Sequence, residues 1–122
     1  MSKLVRDKIP TIIKDSGKFP VTHYLDPIEY TSALHSKLFE EAQELVDVDR
    51  FDRTSHSAQS KEDILEEAAD VLEVLLAILK HQGYLDPLDH LLEKRYKKLA
   101  ERGGFSDGIS LVDVKDKISY EF

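Results

Sequence analysis

The segment Ile64 to Leu79, ILEEAADVLEVLLAIL, most restricts what this chain can fold into. Its apolar residues return at helical spacing until Gly83, a residue suited to ending a helix. With Ile64 at zero and about 100° per residue, the apolar arc runs from Val74 round to Ala69, over half the circumference. A helix apolar on that much of its surface must be covered on several sides. Three long helices in one chain would struggle to cover it, so several copies of the chain are expected to share the burial.

Two other long helices are marked by the same device. Asp26-Pro27 places Asp as N-cap and Pro at the first helical position, and the pattern continues to about Val48. Asp86-Pro87 repeats the signal and opens a helix carrying Leu88, Leu91, Leu92 and Leu99, which Gly103-Gly104 stops. The Ile64 helix is expected to start at Ser60, with Asp63 in a capping arrangement. Between the first two helices, Arg50 to Ser60 is polar and aperiodic and reads as a loop, placed to act as a lid or to connect passively. Pro10 to Asp15 reads as a short helix stopped by Gly17. Pro20 to Tyr24 reads as a short strand, and Ile109 to Val114 and Ile118 to Tyr120 as short extended pieces.

The bulk properties remove several classes of function. A chain of 122 residues, 41% hydrophobic and 34% charged, is expected to form one globular domain with a small core. MSKLVRDKIP has no apolar stretch behind its charged start, and the longest apolar run, Val74 to Leu79, is six residues. The expectation is therefore no signal peptide and no membrane span. The absence of cysteine fits a reducing compartment, and a cytoplasmic location is expected. A formal net charge of −7 argues against binding a nucleic-acid backbone, although a small anion remains accessible through metal ions.

Acids interrupt the apolar stripes. On the Asp26-Pro27 helix, with Leu34 at zero and about 100° per residue, Leu38 falls near +40°, Leu45 near +20° and Val48 near −40°. Glu41, at about −20°, lies among them; Glu44 is at the edge near −80° and Glu40 further out near −120°. On the next helix Glu67, near −60° from Ile64, is enclosed by apolar neighbours and Asp70 borders it near −120°. Each helix thus carries an acid pair at i and i+3, stacked on one face. Such pairs are common on solvated helix surfaces. Two pairs, each with a member inside the apolar arc, favour a site for a hard divalent cation, because a buried carboxylate must be paired, protonated or metal-bound. A di-iron bundle would need Glu-x-x-His, and none of the five histidines has Glu three residues before it. All-carboxylate ligation suits Mg²⁺ or Mn²⁺ working with substrate phosphates. Lys94, Arg95, Lys97, Lys98 and Arg102, with Lys3, Arg6 and Lys8, are cations able to meet those phosphates or to form an ordinary solvated face.

Glu40-Glu41-Ala-Gln-Glu44, followed after 22 residues by Glu67-Ala-Ala-Asp70, resembles the signature of the MazG-like all-α nucleoside triphosphate pyrophosphohydrolases, a group that includes phosphoribosyl-ATP pyrophosphohydrolase. Lys3-Leu-Val-Arg-Asp-Lys-Ile-Pro10 and Glu101-Arg-Gly-Gly-Phe-Ser-Asp-Gly-Ile109 are similar to the opening and the post-helical segment of its short members. The resemblance spans most of the chain. It implies a single domain over residues 1–122, an all-α helical bundle with short extended segments at its termini, assembled as a homodimer or homotetramer. It implies that Glu41, Glu44, Glu67 and Asp70 bind Mg²⁺, or Mn²⁺, which grips a nucleoside triphosphate. A water, oriented by Glu40 or another acid beside the site such as Glu41, would attack the α-phosphorus and release monophosphate and pyrophosphate. Lys98 and Arg102 are the candidates for the remaining phosphate charge. Cleavage of phosphoribosyl-ATP or a deoxynucleoside diphosphate, non-enzymatic nucleotide and metal binding, and a helical interaction module whose acids pair with Lys or Arg are the alternatives. Phe39, Tyr84, Tyr96 and Phe105 could stack on a base, although core or interface positions are the commoner use of such residues.

Overall fold

The computed structural model describes residues 2–55 and 58–116, with the backbone alone at 52–55 and 58. Four helices follow in order, α1 (Ile9–Asp15), α2 (Pro27–Ser55), α3 (Ala58–His81) and α4 (Pro87–Arg102), with no strand among the described residues. The fold is all-α.

Local chemistry accounts for the ends of these helices. At the start of α2 the Glu29 amide donates to Asp26 Oδ1 at 2.8 Å, and the Asp26 amide donates to Glu29 Oε1 at 3.3 Å. This reciprocal capping box satisfies donors that the helix itself leaves open. The Glu29 amide is also the main reason that the Asp26 carboxyl is held below its usual range. At the end of α3 the Gly83 amide reaches Lys80 O at 2.9 Å and the Tyr84 amide reaches Leu79 O at 3.1 Å. That double closure needs a left-handed residue at the pivot, and Gly83 has φ 105°.

Several expectations need correction. Among the described residues, the stretch Arg50 to Ser60 is helical and not a loop: α2 continues to Ser55 and α3 is under way at Ala58. No Gly or Pro lies between Arg50 and Ser55, so nothing in that backbone stops an established helix there. The lid assigned to it goes with the loop. Ser60 accordingly lies inside α3 instead of capping it, and is 2% exposed. Pro20 to Tyr24 carries no strand, since no neighbouring backbone edge pairs with it. Ile109 to Val114 follows α4 without regular secondary structure. Ile118 to Tyr120 lies outside the described residues.

Residues Met1–Pro87 form one compact unit and Leu88–Phe122 another. In the first unit α2 and α3 pack as an antiparallel hairpin. At its open end His81 meets the start of α2. Its ring lies edge-on to Tyr30 at 4.9 Å, and its Nε2 is 2.7 Å from Thr31 Oγ1. The Thr31 hydroxyl also lies 3.0 Å from Pro27 O, its own helix's carbonyl one turn back. His81 is a structural histidine. Farther along, Leu34 and Val74 are 2% and 7% exposed and form the buried centre of the seam. Leu38, Leu45, Val48, Ile64, Val71 and Ile78 around them are half-buried.

The second unit holds α4 and the segment after it. An open groove of about 590 Å³ lies there, with Lys94, Arg95 and Lys98 on the helix side and Gly103, Gly104 and Phe105 on the loop side. No described helix is long and apolar enough to cross a membrane.

Candidate metal centre

The hairpin brings an acid of α2 against a pair on α3 that lies far along the chain. Glu41 from α2 and Glu67 and Asp70 from α3 each offer a carboxylate oxygen, and these oxygens all lie within 4.8 Å of one another. Helical phase puts them there: Glu41 occupies the buried stripe of α2 as the projection requires, and is 7% exposed. Glu67 and Asp70 are half-buried on the facing helix. Opposite oxygen ligands of Mg²⁺ are about 4.2 Å apart.

Two atoms of the cluster stand out. Glu41 Oε2 and Glu67 Oε2 are buried without a hydrogen-bond partner. A buried acceptor left unpaired costs about 1–3 kcal/mol, and more when charged. Both orphaned oxygens belong to the acids that the projection places inside the apolar arcs, so the donor set suits a small oxygen-seeking cation.

Glu44, one turn further along α2, feels the same charges. Its carboxyl is held above the usual glutamate range, first by desolvation and then by the negative charges of Glu41 and Glu67. Glu40 is half-buried and turned to cations, with Lys37 Nζ and Lys3 Nζ each at 3.5 Å from its Oε1.

Two cations at the site were not singled out by the helical projections. Lys37 Nζ lies 3.1 Å from Glu41 Oε1 with its side chain 17% exposed. Burial works to lower its pKa, but the hydrogen bond to Glu41 and the charges of Glu40 and Glu41 outweigh it, and the net shift is upward. Lys37 was detectable, because it stands three and four residues before the two glutamates. Arg6 Nη2 lies 2.6 Å from Asp70 Oδ1. Nothing local announces this pair, whose partners are 64 residues apart.

Lys98 and Arg102 lie on α4 in the other unit, both exposed; Lys98 lines the groove there and Arg102 does not. Phe39, Tyr84, Tyr96 and Phe105 are 76%, 46%, 62% and 99% exposed, so none of them is a core residue of this chain.

No protein-family model matches the chain, and no solved structure matches it. A stretch of 45 residues, 37% of the chain, is 51% identical to an uncharacterized protein of Mycolicibacterium smegmatis. The match covers 46% of that protein, so the chain spans about half the length of the curated relative it matches.

Proposed function

We propose that the chain is a Mg²⁺- or Mn²⁺-dependent nucleoside triphosphate pyrophosphohydrolase, cleaving its substrate to nucleoside monophosphate and pyrophosphate. The observation that carries this reading is the pair of buried, unpartnered oxygens, Glu41 Oε2 and Glu67 Oε2, beside the Asp70 carboxylate. Glu41, Glu67 and Asp70 would hold the cation, with Glu44 completing the set. When bound, such an ion supplies Lewis acidity toward phosphoryl oxygens and lowers the pKa of a coordinated water. Glu40, whose carboxylate meets Lys3 and Lys37, would orient a water without being consumed as a ligand. Lys98 and Arg102 are retained as proposed phosphate contacts. The assembly proposed is a homodimer or homotetramer, and the location proposed is the cytoplasm.

A second reading has its own observation. Lys3, Arg6 and Lys37 already pair with Glu40, Asp70 and Glu41, as in a structural ion-pair network of an interaction module. Three cations against the five carboxylates Glu40, Glu41, Glu44, Glu67 and Asp70 leave the cluster negative, which favours the metal reading.

The decisive experiment incubates the protein with a panel of nucleoside triphosphates, phosphoribosyl-ATP and deoxynucleoside diphosphates, with Mg²⁺ or Mn²⁺, and identifies the products. Monophosphate plus pyrophosphate is expected from a triphosphate. Orthophosphate release, or no turnover of any nucleotide, counts against the proposal. Glu41→Gln keeps the shape and removes the charge, and should weaken Mn²⁺ binding at least about tenfold in calorimetry. Unchanged affinity would remove Glu41 from the ligand set.

A further inference from the structure

Residues 2–6 have no regular secondary structure, yet this segment is anchored across the acidic side of the hairpin. Lys3 reaches Glu40 on α2 at 3.5 Å and Arg6 reaches Asp70 on α3 at 2.6 Å. Between them Leu4 is half-buried, and two ion pairs hold the segment to the two helices. Arg6 thus supplies positive charge to Asp70, one of the three acids whose oxygens converge.

We propose that Arg6 exchanges partners when a divalent cation enters: it neutralises Asp70 in the cation-free chain and turns to the substrate's phosphate oxygens in the loaded one. This rests on the metal-dependent reading above. A divalent ion at Asp70 places like charge beside the guanidinium, weakening a pair that is already exposed to water. The Arg6 side chain is 57% exposed and has this one ion-pair partner among the described residues, so the switch needs a rotamer change and not an unfolding step. Lys37 is poorly suited to the task, because it is 17% exposed and bound by Glu40 and Glu41 together. A guanidinium released at this position presents a planar fork of donors matched to a phosphate. Arg6 is therefore a counter-ion to the empty centre and a phosphate-binding residue of the filled one.

The two roles give opposite signs in one variant. In Arg6→Gln, Mn²⁺ alone should bind several-fold tighter, because its competitor for Asp70 is gone. Inorganic tripolyphosphate, titrated in saturating Mn²⁺, should bind roughly tenfold weaker, having lost a charge-assisted contact. Arg6→Lys, which keeps the charge and loses the fork, should leave Mn²⁺ affinity near that of the wild type while still weakening tripolyphosphate. Circular dichroism of both variants should match the wild type, given the exposure of the side chain. If the wild type binds Mn²⁺ but both affinities of Arg6→Gln move in the same direction, or neither moves, the exchange is overturned and the metal reading stands. If the wild type binds no Mn²⁺, both are overturned.

Discussion

At Glu44 the chemistry of the site works against the stability of the fold. The folded chain holds the Glu44 proton to a higher pH than the unfolded chain does, because desolvation and the charges of Glu41 and Glu67 disfavour its anion. Folding therefore takes up a proton between the two pKa values, and the stability this provides at acid pH is lost as pH rises through them. Glu44→Gln removes the penalty. In EDTA at neutral pH its Tm should exceed that of the wild type by about 1–2 °C, and the difference should close below the ordinary glutamate range, where both side chains are neutral. With excess Mn²⁺ the order should reverse, because the wild type gains a ligand that the variant lacks. A Glu44→Gln Tm below the wild type in EDTA at neutral pH would show that the carboxylate is not under strain from its neighbours. At this scale the sequence was informative about Glu41 and Glu67, whose phase on their helices follows from the chain alone. It said nothing about the pairing of Arg6 with Asp70, because an ion pair between distant residues depends on the path of the chain between them.

At the scale of the helices, α2 and α3 lean on each other more than on any intrinsic preference. Their hairpin is closed at one end by Thr31, Tyr30 and His81 and filled at its centre by Leu34 and Val74. With so few apolar side chains fully enclosed, each matters. Leu34→Ala should cost about 2–4 kcal/mol, lowering the urea midpoint while leaving the m-value unchanged. A loss under 1 kcal/mol would mean that the seam collapses around the missing side chain. The starts of α2 and α4 and the stops at Gly83 and Gly103 were legible, because caps are local chemistry. The reach of α2 beyond Val48 was not. Polar residues without periodicity resemble a loop, yet a helix already nucleated and lacking a breaker propagates through them.

At the scale of the whole molecule, the hairpin leaves apolar side chains in water. On α2 Phe39 and Val46 are 76% and 41% exposed, and on α3 Leu65 and Leu72 are 64% and 39% exposed. By helical phase each pair lies about 130–140° from its helix's packing direction, on the side away from Glu44 and Asp70. Antiparallel pairing sets Phe39 level with Leu72 and Val46 level with Leu65. We infer that a second copy covers this face, as the proposed homodimer requires. Sedimentation of the wild type should then give at least twice the monomer mass, whereas Phe39→Glu with Leu72→Glu should sediment as a monomer that keeps its helical circular dichroism. A monomeric wild type would leave the exposed stripe without the role assigned here. By itself the sequence determined that the helices exist, where α2 and α4 start, the stops at Gly83 and Gly103, and the acids lying in apolar stripes, since these depend on spacing of a few residues along the chain. Only the tertiary structure decided that oxygens of Glu41, Glu67 and Asp70 converge, that Glu41 Oε2 and Glu67 Oε2 lack partners, and that Arg6 pairs with Asp70. Those facts depend on how two helices face each other and where a distant segment crosses them, and the packing of the whole hairpin sets that geometry.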